Sequence, residues 1–208
     1  MGFFGGWVLD ERKFLNAGEV ELVRRDARSR VEQAGFRRRL PWLEWFFVEL
    51  ALETGLRVAE MSHLDCGDLV LAVSRPGVLV RRGKGGKRRF VRVRREFAKA
   101  CEDFLAWKSA VGESTEPDAP LLVSSRTNTH MTTRALQKMF ARACKRAGVI
   151  GHSVHHARHT YASFLYVASR KDLRLVQRQL GHSSIRTTEV YAHVFDEDVD
   201  DAMRKLYA

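Results

Sequence analysis

Residues 152–161 read HSVHHARHTY, and most other informative residues of this chain make sense as partners of that stretch. On a helix, His155, Arg158 and His159 stand at positions i, i+3 and i+4, so the spacing predicts that they project together from one side. Tyr191 follows further along the chain. A tyrosine can form a covalent intermediate, arginine can neutralise charge on a phosphate, and histidine can move protons. Together these residue types indicate transfer of a phosphodiester.

The net charge of +11 and the sequence pI near 10.1 exceed what solubility requires. Such a surplus indicates a polyanionic partner, with nucleic acid ahead of an anionic membrane surface. The charge is unevenly placed, because residues 195–208 carry −3 and leave +14 on the preceding 194 residues. An acidic end on a basic body favours a segment that docks on protein and avoids the phosphate backbone.

Cysteine usage and hydropathy predict a soluble protein of a reducing compartment. Cys66, Cys101 and Cys144 are odd in number, far apart and without metal-like spacing, so we expect free buried thiols. The first residues lack the basic start and apolar run of a signal peptide. The most apolar window, residues 40–52, contains two glutamates and is too short to span a bilayer. We therefore predict a cytoplasmic, nucleoid-associated protein with no membrane segment.

Hydrophobic periodicity predicts an α+β fold, mainly α with a small three-stranded antiparallel sheet. A capping pair, Asn16 and Glu19, begins the first helix. The second helix, residues 41–52, is apolar almost all round, so we expect it to be central. Further helices are predicted at 96–111, from 132 or 133 to 147, at 154–168, 173–180 and 196–207, and strands at 69–73, 78–82 and 89–93. Residues 185–194 are rich in β-branched side chains, so their helix propensity is weak.

Two basic positions outside the opening stretch are candidates for phosphate chemistry. Arg57 follows the end of the central helix, where it is held more rigidly than a surface arginine and its guanidinium can bind two oxygens at once. An ion pair with Glu60 explains it equally well. Lys84 lies in the glycine-rich tip between the second and third strands, and either a plain surface turn or a lysine that reaches into a reaction site fits this position.

Each remaining candidate has a structural alternative. His182 can satisfy carbonyls at a helix end, and Tyr191 can be an ordinary core tyrosine. Tyr161 falls on the apolar stripe of its helix and is predicted to be structural. A zinc site built from the histidines at 152, 155 and 159 is disfavoured because no carboxylate or cysteine ligand accompanies them, so no metal is predicted.

Five short motifs, taken in order, resemble the tyrosine recombinase (phage integrase) family. They are TGLRVAE at 54–60, GKG at 83–85, HHARHT at 155–160, LGHSS at 180–184 and TTEVYAH at 187–193. The family usually has leucine where Ala157 stands, which is a change of packing. Because the motifs keep the family order over residues 54–193, the resemblance is specific.

The resemblance implies a role for each matching residue. Arg57 and Arg158 would clamp the scissile phosphate, Lys84 would protonate the leaving oxygen, and Tyr191 would attack the phosphorus. His155 would assist proton transfer, His182 would donate to the phosphate, and Glu60 would orient the site from behind. Further DNA contacts are expected from Lys87, Arg88, Arg134 and Lys138. The product would be a 3′-phosphotyrosyl link, formed without metal, ATP or any cofactor.

The expected organisation is an irregular leader at 1–15, a catalytic domain at 16–194 and a C-terminal helix at 195–208 that docks on its own body or on a neighbouring protomer. The N-terminal core-binding domain common in the family is expected to be absent, so the chain is a minimal recombinase or an excised catalytic fragment. The expected partner is double-stranded DNA. A homo-oligomer is expected on it, namely a tetramer, and a monomer is allowed in its absence.

These observations favour a site-specific recombinase or integrase over two alternatives. One is a DNA-binding regulator of recombination that rarely cuts, and the other is an enzyme that relaxes supercoils in the manner of a type IB topoisomerase. Because all six catalytic positions are filled, the enzyme is preferred to the regulator. The chemistry requires that the arginines, histidines and Lys84 converge around the phenol oxygen of Tyr191, or can do so once duplex is bound.

Overall fold

The computed structural model describes residues 13–81 and 88–191. Its helices are α1 Ala17–Ala34, α2 Arg39–Thr54, α3 Val58–Met61, α4 Arg95–Ala110, α5 Thr133–Arg146, α6 Val154–Ala168, α7 Leu173–Leu180 and α8 Arg186–Glu189, and its strands are β1 Leu69–Val70, β2 Gly77–Val80 and β3 Arg89–Arg92. The predicted fold class, mainly helical with a three-stranded antiparallel sheet, is confirmed. The hairpin tip at 82–87, most of the predicted leader and the predicted C-terminal helix lie outside the described residues.

Helix α2 is the centre of the fold, as its apolar sequence predicts. It packs against α1, α4, α5 and α6, and aromatic residues fill the space around it. It begins two residues before Pro41 and ends at Gly55, which adopts the left-handed conformation with φ 58°. Glycine is also required there for space, because a Cβ atom at this position would lie 2.3 Å from Cδ1 of Tyr161. The end of α2 is thus pressed against α6.

Helix α1 begins where its capping residues predict. The side chain of Asn16 accepts from the amide of Glu19 at 3.0 Å, and the Glu19 carboxylate accepts from the amide of Asn16 at 2.8 Å. The reciprocal bonds satisfy two amide groups that a helix start leaves unpaired. The apolar face of the helix is buried at Val20, Val23, Ala27 and Val31.

The sheet pairs in the order β1-β2-β3, with each neighbouring pair antiparallel. Strand β1 is shorter than the predicted span of 69–73. Only Leu69 and Val70 find partners on β2, and the chain then turns, with the amide of Arg75 donating to the carbonyl of Ala72 at 3.1 Å. Strands β2 and β3 pair over four residues and lead into the hairpin tip on either side.

Helix α3 was not predicted, because four residues are too few to show a helical period. It begins directly after Arg57, whose backbone amide donates to the Glu60 carboxylate at 2.8 Å. This bond caps the first turn and brings the carboxylate back toward the residue that precedes the helix. The turn therefore determines where Glu60 lies relative to Arg57.

The apolar stripe that helical spacing predicts for α6, at positions 154, 157, 161, 165 and 168, is only partly buried. Positions 154 and 157 are buried, 161 and 165 are half-buried and 168 is exposed, while Arg158 and Ser163 are buried instead. The reason is tertiary, because α6 packs on α2 with one side and on α7 with another. A separate apolar cluster forms on the α7 side from Ala162, Tyr166, Val176, Leu180 and Tyr191. Within the described ranges, no helix combines the length and apolarity needed to cross a bilayer.

Candidate active site

Arg158 lies at the centre of the site and points inward. It is 4% exposed, and its guanidinium donates to the carbonyl of Gly55 at the end of α2 and to the carbonyl of Leu180 at the end of α7, the latter at 2.9 Å. Burial, together with the nearby Arg57, lowers the pKa of Arg158 to about 10. The group stays protonated at neutral pH. Two helix ends therefore hold a buried positive charge in a fixed position.

His182 contacts Arg158 directly, because Gly181 ends α7 in the left-handed conformation and turns the chain back. Its Nε2 lies 3.0 Å from Nη2 of Arg158, and its Nδ1 lies 3.0 Å from the hydroxyl of the fully buried Thr188. Because a guanidinium only donates, Nε2 accepts and Nδ1 carries the proton. Burial, together with Arg158, lowers the pKa of His182 to about 3, so the ring is neutral.

Arg57 reaches the same region from the start of α3. Its Nη1 donates to Oε1 of Glu60 at 3.1 Å, while 30% of its side chain stays exposed. Glu60 also binds Arg89, whose two terminal nitrogens each donate to a different carboxylate oxygen at 2.8 Å. Burial raises the pKa of Glu60, but the bonds from Arg89 and Arg57 outweigh it and hold the pKa below the ordinary value. Arg57 thus forms the ion pair with Glu60, and its side chain remains accessible. Its binding of a phosphate stays a prediction.

Tyr191 is buried, with only 2% of its surface exposed, and its ring packs in the apolar cluster beside α7. Its hydroxyl lies 3.0 Å from Nδ1 of His159. Burial raises the pKa of Tyr191 to about 12, although Arg158 and Arg57 act in the opposite direction. In this arrangement the predicted cations do not meet at the phenol oxygen, because the hydrogen-bond partner of that oxygen is His159.

The histidine ladder of α6 divides into two pairs. The rings of His155 and His159 meet edge to face with centroids 5.1 Å apart, and those of His152 and His156 do the same at 5.2 Å. His152 and His155 thus belong to different pairs, whereas the zinc alternative placed both of them, with His159, around one metal ion. Among the described residues, no group of three histidine, cysteine or acidic side chains is placed to hold a metal ion.

A groove of about 560 Å³ opens beside these groups. Arg57, Arg158 and His155 line it, and Lys138 lines the facing side from α5. Arg134 is exposed in the first turn of the same helix, and Arg88 is exposed next to the hairpin tip. Lys84 and Lys87 lie outside the described residues. The structure therefore brings three of the six predicted catalytic side chains to one groove and attaches His182 to Arg158 behind it.

Three residues that contact the site were not among the predicted ones. His159 stands next to Arg158 in sequence and its helical spacing was a usable signal, whereas Thr188 carries no signal of its own. In the sequence, nothing distinguishes Arg89 from the other basic residues of its strand. Its importance comes from contact with Glu60 across 29 positions of sequence, which no local pattern indicates.

The chain belongs to the phage integrase family, whose sequence pattern matches residues 22–198. It is 36% identical over 160 residues to tyrosine recombinase XerC of Corynebacterium glutamicum, and 30% identical over 164 residues to XerC of Caldanaerobacter subterraneus. These matches cover 77% and 78% of the chain but 49% and 44% of the relatives, so the chain spans about half their length.

Two solved structures resemble the fold over nearly the whole chain. The recombinase XerA matches with a TM-score of 0.71 and 25% identity, covering 100% of this chain and 67% of that one. XerH bound to its difH substrate, in a pre-cleavage complex, matches with a TM-score of 0.71 and 25% identity, covering 92% and 52%. The family assignment suggested by the five motifs is confirmed.

Proposed function

We propose that this chain is the catalytic domain of a site-specific DNA recombinase or integrase, and that it cuts and rejoins strands through Tyr191. The observation that carries the proposal is the meeting of Arg57, Arg158 and His155 at one groove, with His182 bonded to Arg158 behind it. Arginine pairs suit a phosphate because each guanidinium presents several donors in a plane. The groove is thus the place where the scissile phosphate binds.

The reaction is an in-line exchange of one phosphodiester for another. The oxygen of Tyr191 forms a bond to phosphorus while the bond to the 5′ oxygen of the DNA breaks. Lys84 gives its proton to that leaving oxygen, and the phenol proton passes to a histidine, for which His155 and its ring neighbour His159 are placed. Arg57 and Arg158 stabilise the charge that builds on the nonbridging oxygens.

Two side chains must rearrange before this exchange. The phenol of Tyr191 must leave His159. His182 must release Arg158 and take up a proton on Nε2, which carries none in this arrangement, if that nitrogen is to donate to the phosphate. Bound duplex supplies the negative charge that offsets the cost of both changes. The buried arrangement is then a resting form, in which a neutral phenol of high pKa is kept from attacking other targets.

The resulting 3′-phosphotyrosyl link stores the energy of the broken bond, so resealing uses neither ATP nor a metal ion. The energy is recovered when a 5′-hydroxyl attacks the link. The partner is double-stranded DNA, with Lys138, Arg134, Arg88 and Lys87 as further contacts to its backbone. We further propose a tetramer on DNA and a catalytic domain at 16–194, with residues 195–208 docking on the same chain or on a neighbouring protomer. We also propose that the protein works at the nucleoid in the cytoplasm.

A pool of short nicked duplexes of randomised sequence tests the proposal, because a nick lets the leaving fragment diffuse away and traps the covalent complex. We expect a denaturant-resistant adduct that disappears in Tyr191→Phe. Tyr166→Phe is the matched control, since Tyr166 is buried in the same apolar cluster and should keep the adduct.

The other outcomes separate the alternatives. Binding of duplex without any adduct in the wild-type protein would overturn the enzyme and favour a regulator of recombination. Relaxation of a plasmid that lacks paired sites would instead favour a topoisomerase. Sequencing the trapped DNA would give the target site.

A further inference from the structure

Glu60 is shared by two arginines, and Arg89 holds the larger part of it. Arg89 makes two parallel bonds of 2.8 Å, one to each carboxylate oxygen, whereas the side chain of Arg57 makes one bond of 3.1 Å. The side chain of Arg89 is 13% exposed and that of Glu60 is 4% exposed. The Arg89–Glu60 pair is therefore a nearly buried, bidentate ion pair, the strongest form of this contact.

The charges around Glu60 decide what Arg57 can do. A carboxylate buried this deeply needs a positive partner, since an unpaired buried charge is strongly destabilising. With Arg89 in place, one arginine balances the carboxylate and Arg57 remains as an excess positive charge beside the groove. Without Arg89, Arg57 would be the remaining arginine bonded to Glu60, and its guanidinium would be drawn toward that carboxylate and away from a phosphate.

Arg89 also contacts the helix end that carries His182. Its Nε donates to the carbonyl of Gln179 at 3.4 Å, and its side chain fills the space beside Gly181, where a Cβ atom would lie 2.7 Å from Cδ of Arg89. The side chain of Gln179 in turn accepts from the amide of Arg92 at 3.1 Å. Strand β3 and the end of α7 are thus joined by two neighbouring polar contacts.

We propose that Arg89 is a positioning residue. It neutralises Glu60, so that Arg57 keeps its charge for the scissile phosphate. The contact of Arg89 with the end of α7 also fixes the position of His182. The inference rests on the proposed strand-transfer function and adds a residue to it. Arg89 itself does not touch the DNA, and it acts through Glu60 and the end of α7.

A double-mutant cycle tests the neutralising role, with the rate of adduct formation on the nicked duplex pool as the readout. We expect Arg89→Ala to slow the adduct roughly a hundredfold, the effect of losing one donor to transition-state charge. Adding Glu60→Gln should then restore the rate about tenfold, because Arg57 is no longer drawn to a carboxylate. Removing the buried carboxylate also relieves a loss of stability. The rates are therefore compared well below the melting temperature of every variant, where a residue that only supports the fold would leave Arg89→Ala at the wild-type rate.

Two further variants serve as controls. Arg92→Ala removes the same charge from the same strand at an exposed position and should leave the rate unchanged. Arg89→Lys keeps the charge without the bidentate geometry, and should retain more activity than Arg89→Ala. It also covers the case in which Arg89→Ala does not fold, as judged by melting temperature.

The inference is overturned if folded Arg89→Ala reacts at the wild-type rate, or if the double variant is no faster than Arg89→Ala. Failure of the proposed function would look different, because the wild-type protein would then form no adduct. In that case the inference is tested by the nitrogen-15 NMR signal of the Arg57 side chain, recorded without DNA. Arg89→Ala should slow guanidinium rotation and the double variant should restore it, whereas unchanged rotation would overturn the role.

Discussion

At the scale of single residues, Arg158 has a structural role in the fold and a proposed role at the phosphate. It donates to carbonyls at the ends of two helices and also lines the groove. We expect Arg158→Ala to reduce adduct formation by about a hundredfold or more, because charge on the phosphate loses a preorganised donor. Duplex binding should stay largely intact, since most of the affinity comes from other backbone contacts.

The same substitution leaves two buried carbonyls without this donor, at about 1–3 kcal/mol each. Binding and cleavage must therefore be compared well below the melting temperature of the variant. Arg95→Ala, at an exposed position in the first turn of α4, is the control and should change neither quantity. Equal loss of binding and cleavage in Arg158→Ala would mean that Arg158 only holds the DNA backbone.

The buried imidazoles make stability depend on pH. Burial is the main cause that lowers the pKa of His159 to about 4 and of His182 to about 3, from 6.5. Below pH 6.5 the unfolded chain therefore binds more protons than the folded chain. The free energy of unfolding falls as the pH falls below this value. Urea unfolding at several pH values between 6.5 and about 5, above the range in which most carboxylates titrate, should measure this slope.

His182→Asn should make that slope smaller, because one of the imidazoles with a lowered pKa is gone. Arg95→Ala, at an exposed position, removes no imidazole and should leave the slope as it is. If wild-type and His182→Asn proteins lose stability in parallel over this pH range, then the His182 imidazole is not held neutral by the fold.

At the scale of secondary-structure elements, the end of α2 places the site. Gly55 has φ 58° and no space for a Cβ atom because Tyr161 is in contact, whereas Gly112 has φ 78° and open space around it. Gly112→Ala should cost about 1 kcal/mol for the left-handed backbone. Gly55→Ala should cost about 1–3 kcal/mol more, from overpacking against α6.

Chemical unfolding of both variants measures this difference directly. The pair is matched because each change adds one methyl group to a glycine of positive φ at the end of a helix. Equal losses would show that α2 and α6 separate easily at this point. The side chain of Arg158, which reaches from α6 to the end of α2, would then be less fixed than its contacts indicate.

At the scale of the whole molecule, positive charge beside the groove should determine the salt dependence of DNA binding. Lys138 lines the groove from α5, so Lys138→Ala should weaken binding to duplexes of any sequence and lower the slope of log K against log salt by about 1. Lys99 is exposed on α4 and pairs with Glu102 and Asp103. Lys99→Ala removes the same charge and should leave the slope unchanged, as measured by fluorescence anisotropy.

An unchanged slope in Lys138→Ala, or an equal change in Lys99→Ala, would mean that the groove is not where the phosphate backbone lies. Because both variants lose one positive charge, a general effect of net charge cancels in the comparison. The measurement is independent of cleavage, so it tests the binding surface even on DNA that lacks the target site.

Much of this protein follows from the sequence alone. The capping pair at Asn16, the all-round apolar run of α2 and the period of α5 are local patterns, and each predicts an element that is found. The five ordered motifs likewise identify the family. Such features are decided within a few residues, where hydrogen bonding and apolar spacing act without help from the rest of the chain.

Contacts between distant segments were decided only by the tertiary structure. The burial of Arg158 depends on α2 and α7 meeting on either side of α6, and the role of Arg89 depends on a strand meeting α3. The hydroxyl of Tyr191 bonds to His159 and not to the arginines, because the apolar cluster beside α7 buries its ring. A pattern of residue types indicates which side chains are available, but packing energy over the whole fold determines which of them touch.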